Sequence, residues 1–263
     1  MITSTANVKV KRIIQLRKKK KARDEEGVFL VEGIRMFREI PLASLKEIYV
    51  SESCMKKEKG MVQEMGERAG VRVELVSDPV FEYLSDTRTP QGILSVVARS
   101  TYTLEDIARG EAPHVLVLDR LQDPGNVGTI LRTAEGAGVT GILLDGECAD
   151  VYNPKTIRST MGSIFRMPFC YIQDLREGIR RLKDMGIHIY AAHLDGVHFY
   201  DEENYRTPCA FLIGNEGNGL REEIAKMADT YIKIPMAGSV ESLNAAIASA
   251  VLMFEVSRQR RQS

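Results

Sequence analysis

Three continuous apolar runs constrain this chain more than any other feature. Val115-Leu116-Val117-Leu118, Ile142-Leu143-Leu144 and Ala210-Phe211-Leu212-Ile213 do not alternate with polar residues, as expected of strands buried on both faces. Such strands need helices on both sides, and the intervening sequence supplies them. Val127, Ile130, Leu131 and Ala134 recur at i, i+3, i+4 and i+7, with Asn126 placed as N-cap and Gly136 or Gly138 as the stop. Further strands near 187–192 and 230–234 alternate with helices near 154–161, 174–185, 220–227 and 242–257. In the last helix Leu243, Ala246, Ile247, Ala250, Val251 and Phe254 are expected to form the buried stripe, with Ser242 placed to cap it. The expectation is an α/β fold whose C-terminal sheet is mostly parallel and covered on both faces.

The N-terminal part also alternates: a basic helix near 8–22, strand 28–32, helix 33–39, strand 46–50, helix 54–69 and strand 71–75. A helix then starts at Ser77-Asp78-Pro79, and Thr87-Arg88-Thr89-Pro90-Gln91-Gly92 leads to strand 93–97. This predicts a smaller N-terminal α/β/α domain over 1–100, a linker over 101–113 with at most one short helix, and a second domain over 114–263. No apolar run approaches the length of a membrane span, and the basic N-terminus has no secretory apolar core. Cys54, Cys148, Cys170 and Cys209 are too far apart for a zinc ribbon or compact disulfide framework. The reading is a cytoplasmic protein with reduced thiols and no membrane partner.

The formal net charge of zero conceals an asymmetry. Residues 1–23 hold nine cations (Lys9, Lys11, Arg12, Arg17, Lys18, Lys19, Lys20, Lys21 and Arg23) and no acid, whereas the remaining 27 basic and 36 acidic residues leave −9. A concentrated cationic segment is the footprint of a polyanion partner, nucleic acid above all; a solvated basic helix face is the competing explanation.

Chemistry concentrates where the strands end. After Ile213 the run breaks into Gly214-Asn215-Glu216-Gly217-Asn218-Gly219-Leu220, whose glycines allow a ligand close to the backbone. A second segment, Asp119 to Ala134, follows another strand and carries Arg132 off the apolar stripe of its helix. A third, Ile234-Pro235-Met236 to Ser242-Leu243-Asn244, turns from strand to helix. Gly136-Ala137-Gly138-Val139-Thr140-Gly141 matches the dinucleotide pattern letter for letter, but its glycines close a helix and precede a strand, the reverse of that fingerprint. His193, Asp195 and His198 share one loop without a further His or Cys at metal-ligand spacing, so no metal is expected.

Together these three segments resemble the signature motifs of the SpoU/TrmH family of RNA ribose 2'-O-methyltransferases, within the SPOUT superfamily. The resemblance rests on Asn126 with Arg132 six residues on, on Ile213-Gly214-Asn215-Glu216-Gly217, and on Ile234-Pro235-Met236 with Ser242-Leu243-Asn244. More loosely, Asn7-Val8-Lys9 and Phe29-Leu30-Val31-Glu32-Gly33 are similar to the family's substrate-binding domain. The resemblance implies a deep trefoil knot, S-adenosyl-L-methionine as cofactor, and an RNA partner, ribosomal rather than transfer RNA, with a homodimer as the assembly. By position it implies catalytic roles for Arg132, Asn126, Glu216, Ser242 and Asn244, and a cofactor pocket of Leu212, Gly214, Ile234, Met236, Leu243 and Ala245. A guanidinium stays protonated, so Arg132 suits a phosphate and alkoxide clamp better than a literal base. The alternatives are a non-catalytic RNA-binding protein of the same fold, a transfer RNA enzyme, and a transferase acting on a small substrate.

Overall fold

The computed structural model describes residues 1–262 apart from 195 and 241. The chain divides into two compact units: Met1–Ser100 with Asp150–Phe165, and Thr101–Ala149 with Arg166–Ser263.

The first unit begins with α1 (Val8–Lys18) and α2 (Lys20–Glu26), where one helix over 8–22 was expected. The break falls at Lys19, which is extended at φ −119° and ψ 119°. A continuous helix would set Lys21 one turn from both Arg17 and Lys18, like charges on one face. The buried Arg23 turns back to donate to the carbonyls of Leu16 (2.6 Å) and Arg17 (3.2 Å), satisfying acceptors that the end of α1 leaves open. There follow β1 (Val28–Glu32), α3 (Ile34–Arg38), β2 (Leu45–Ser51), α4 (Glu52–Ala69), β3 (Val73–Val76), α5 (Asp78–Leu84) and β4 (Ile93–Ala98). The strands form one sheet in the order β1-β4-β2-β3, with β4 antiparallel to both neighbours and β2 parallel to β3. Period-two alternation divides its residues. Leu30, Tyr49, Leu94 and Val96 share a core with Val10, Ile13 and Leu16 of α1 and with Val80, Phe81 and Leu84 of α5. Across the sheet, Gly66 of α4 packs so closely on Val73 that a Cβ there would lie 3.0 Å from the valine methyl. Residues 150–165 belong here: Tyr152 meets Phe29 at a ring distance of 4.9 Å, and Asp150 accepts from Arg23 at 2.5 Å.

The remaining elements in chain order are α6 (Leu104–Ile107), β5 (His114–Leu118), α7 (Pro124–Ala137), β6 (Gly141–Asp145), α8 (Pro154–Thr160, in the first unit), β7 (Phe169–Ile172), α9 (Leu175–Asp184), β8 (His188–Ala192), β9 (His198–Phe199), β10 (Cys209–Ile213), α10 (Glu222–Ala225), β11 (Thr230–Lys233) and α11 (Ala245–Arg260). The second unit is built on one sheet, ordered β7-β6-β5-β10-β8-β11-β9 and parallel at every pairing. Strands β7 and β9 escape sequence reading because they are short and carry half-buried or exposed residues instead of a continuous apolar run. Residues 101–113 contribute core: a capping box between Thr103 and Asp106 starts α6, and Leu104 and Ile107 are buried with Val115, Val117 and Leu143. Gly141 makes room for α6, since a Cβ there would sit 2.3 Å from that of Ile107. Gly138 closes α7 in the left-handed region at φ 78°, as a helix stop preceding a strand does.

Three helix details differ from expectation. The N-cap of α7 is Asp123, whose carboxylate accepts from the Asn126 N–H, leaving the Asn126 side chain free for other work. The N-cap of α11 is Asn244, not Ser242: its Oδ1 accepts from Ala246 and Ile247, so the helix starts three residues later than expected. In α11 the expected buried stripe holds only in part: Ala246 is buried and Leu243, Ala250 and Val251 are half-buried, but Ile247 and Phe254 are 53% and 49% exposed. The helix is apolar on two faces, and the one covered within the chain carries Ala246, Ser249, Met253 and Val256 with the satisfied polar pair Glu255 and Gln259.

Candidate active site

Strand order in the second unit reverses beside β5. The chain runs outward through β6 and β7, returns as β8, and inserts β10 between β5 and β8. In open α/β sheets ligands bind beyond the carboxyl ends of strands at such a switch point. Here those ends are Leu118 and Ile213, paired in register, and from them issue the loop 119–123, which leads into α7, and the glycine-dense loop 214–220.

The glycine-dense loop closes on itself. Asn215 and Gly219 exchange backbone hydrogen bonds, each at 2.9 Å. A Cβ on Gly214 would lie 2.2 Å from the carbonyl carbon of Gly219, so only glycine permits this closure. The Asn215 amide donates to the carbonyl of Arg120 at 2.8 Å. Arg120 is one of two non-glycine residues in the left-handed region among the described residues, at φ 53°, a conformation that persists where surrounding contacts enforce it.

Glu216 joins the two loops. Its carboxylate accepts from the backbone N–H groups of Gln122 (3.2 Å) and Asp123 (3.0 Å) and from Nδ2 of Asn126 (3.0 Å). Partial burial opposes its ionisation, but the bonds from Asn126, Asp123, its own backbone and Gln122 prevail and hold the carboxyl below the ordinary glutamate range. It is thus an ionised anchor and a poor proton acceptor. The Oδ1 of Asn126 in turn accepts from Nδ2 of Asn244 at 3.1 Å. A continuous chain of donors, Asn244 to Asn126 to Glu216, ties together three segments far apart in sequence.

The other predicted residues differ in exposure and in partners. Arg132 lies on α7, exposed, and makes no side-chain hydrogen bond or ion pair among the described residues; its guanidinium is available to a ligand. Ser242 is exposed and likewise has no hydrogen bond among the described residues. Leu212 is fully buried in the same core as Val117 and Ala191, in a strand paired on both edges, so neither its side chain nor its backbone faces solvent. Gly214, Ile234, Leu243 and Ala245 are half-buried and Met236 is 37% exposed, an apolar set open to solvent on one side. Sequence reading missed Arg221. It donates from its backbone and Nε to Asp119 (2.9 and 2.7 Å) and from Nη2 to Asp145 (2.7 Å). Its place one residue beyond the glycine-dense loop was the available signal. His193 packs against Tyr231 at a ring distance of 5.3 Å, whereas Asp195 of the same loop lies outside the described residues.

The nine N-terminal cations divide by type. Arg23 is 3% exposed and bound to Asp150, Arg17 donates to the carbonyls of Tyr83, Leu84 and Ser85, and Arg12 pairs with Glu26 and Glu47. Lys9 pairs with Glu74, and Lys20 and Lys21 face Asp24 and Glu25 one turn on. Lys11, Lys18 and Lys19 are exposed without an ion pair among the described residues. No described helix is long and apolar enough to cross a membrane.

Residues 113–254 match the SpoU rRNA methylase family, and residues 7–95 match the MRM3-like substrate binding domain. The 23S rRNA (guanosine(2553)-2'-O)-methyltransferase RlmP of Bacillus subtilis is 32% identical over 97% of this chain and 98% of its own. An AdoMet-bound rRNA methyltransferase from Sinorhizobium meliloti superposes with a TM-score of 0.87 at 34% identity, covering 98% of this chain and 97% of that one. The SpoU methyltransferase AviRb from Streptomyces viridochromogenes, in complex with AdoMet, gives 0.86 at 27% identity over 98% and 99%. This chain belongs to the SpoU rRNA methylase family.

Proposed function

We propose that this protein is an S-adenosylmethionine-dependent enzyme that methylates a ribose 2'-hydroxyl in ribosomal RNA, acting in the cytoplasm. The observation that carries this reading is the bond chain from Asn244 through Asn126 to Glu216, which gathers all three motif segments at the switch point. The residues fit the donor. Half-buried Ile234, Leu243 and Ala245 with Met236 suit an adenine face, and the backbone around Gly214 suits directional bonds. When bound, S-adenosylmethionine supplies an already activated methyl group.

The protein therefore has to position the ribose and manage its proton. Aligned reactants gain on the order of 7–11 kcal/mol over free encounter. Arg132, without a hydrogen bond or ion pair among the described residues, clamps a phosphate next to the reacting ribose and stabilises the developing alkoxide. Asn126 and Asn244 fix the wall of the site, Glu216 holds the loops together as an anion, and Ser242 lies in the third segment beside them.

RNA capture is assigned to the first unit. Lys11, Lys18 and Lys19, with Lys20 and Lys21, form the exposed cationic face, whereas Arg12, Arg17 and Arg23 serve the fold. We also assign this chain the trefoil knot of the SPOUT fold; the return of the chain from β11 to a helix packed on α7 supports it. A homodimer is supported by exposed Ile247 and Phe254, which flank half-buried Val251 on one face of α11 at i, i+4 and i+7. The test is a map of 2'-O-methyl sites in total RNA from cells with and without the protein. One ribosomal site is expected to disappear; loss of a transfer RNA site redirects the substrate, and no loss refutes the activity.

A further inference from the structure

We infer that Arg221 is a positioning residue for the methyl donor: its guanidinium clamps the glycine-dense loop onto the ends of β5 and β6 and so sets donor affinity. The inference rests on the donor site proposed above. Asp119 and Asp145 stand at the ends of adjacent parallel strands with side chains 1% and 6% exposed. Two buried carboxylates in that position repel unless a cation bridges them. Arg221 does so with a planar fork, contacting Asp119 through Nε at 2.7 Å and Nη2 at 2.5 Å and Asp145 through Nη2 at 2.7 Å, while its own N–H reaches Asp119 at 2.9 Å. A single ammonium cannot reproduce that pattern.

The loop's own geometry makes this more than a stability contact. Because residues 215 and 219 are locked to each other, the loop moves as one piece, and its placement depends on its two ends. Asn215 and Glu216 hold the first end to residues 120–126, and Arg221 holds the second. Asp119, the anchor of Arg221, also precedes the left-handed Arg120 whose carbonyl receives Asn215. Release of Arg221 frees one end of the loop and loosens the anchor of the other. A loop that is correctly placed for only a fraction of the time lowers apparent affinity by that fraction, without altering the chemistry once the donor is bound.

The test uses the full chain with Arg221→Met and Arg221→Lys, measuring S-adenosylmethionine affinity by calorimetry, methyl transfer to ribosomal RNA at saturating donor, and melting. Arg221→Met is expected to weaken donor binding about tenfold or more, and Arg221→Lys, which keeps a cation between the carboxylates, about threefold to tenfold. Turnover at saturating donor should stay within about threefold of wild type in both. Should Arg221→Met not fold, Arg221→Lys decides alone. Wild-type affinity in a folded variant overturns the clamp, as does lost turnover with unchanged affinity. Absence of binding by the wild-type protein itself refutes the donor site, and the clamp with it.

Discussion

The basic N-terminal tract and the switch-point site use polar residues in opposite ways. In the tract, the arginines that look most suited to a polyanion are turned inward: Arg23 is buried on Asp150, and Arg17 caps the end of α5 through three carbonyls. The lysines remain in solvent. At the site Asn126, Glu216 and Asn244, which look like surface turn residues, are knit to one another, while the guanidinium of Arg132 has no hydrogen bond or ion pair among the described residues. Net charge in a sequence therefore overstates how much cation faces a ligand, while loop composition understates how far a site is built. Arginine with its fork and long apolar stem is readily recruited into structure; lysine, a strongly hydrated point charge, is not.

The contrast can be broken at Arg23. Arg23→Met leaves the half-buried Asp150 without its cation and the carbonyls of Leu16 and Arg17 without their donor, and is expected to cost about 3 kcal/mol in chemical denaturation, far beyond an ordinary surface change. A loss below about 1 kcal/mol would return Arg23 to the ligand-facing set.

His114 sharpens the comparison within the second unit. It is 1% exposed at the start of β5, and burial, with a smaller contribution from Arg260, pushes its pKa down to about 3. The folded chain thus binds fewer protons than the unfolded chain between about pH 3 and pH 6.5. The stability that its neutral burial contributes is complete above about pH 6.5 and declines by about 1.4 kcal/mol per pH unit on acidification. His114→Phe should flatten the stability curve between pH 6.5 and 5, and an unchanged slope would place the proton elsewhere.

The smallest stability effect, and the clearest binding effect, is expected for Lys18→Ala with Lys19→Ala. Melting should hardly move, whereas the salt dependence of RNA binding should become shallower by about 1.5 in log–log slope, as for two lost phosphate contacts. An equal slope would assign the RNA surface to other residues.

How far the sequence could be read follows the same division. Buried strands such as β5 and β10 announced themselves as unbroken apolar runs, and Gly138 marked a helix end by its conformational demand. Edge strands β7 and β9 did not, because half-exposed residues carry no periodicity. In α11 apolar residues on two faces left the buried one undetermined, and the stripe chosen mixed the buried Ala246 with the exposed Ile247 and Phe254. The motif positions Asn126, Glu216 and Asn244 were recognisable, but their mutual bonding was not, since it joins residues about 90 and 118 positions apart. Arg221 matched no motif and became visible only through the two buried carboxylates it bridges.

The central claim is that an internally satisfied scaffold presents Arg132 to the RNA. Arg132→Ala, followed in parallel by donor calorimetry and a labelled-methyl transfer assay on ribosomal RNA, tests it most directly. The expected result is S-adenosylmethionine affinity within about threefold of wild type with transfer reduced about 10²–10³-fold. Donor affinity that collapses together with transfer would contradict the account and make Arg132 part of the pocket wall.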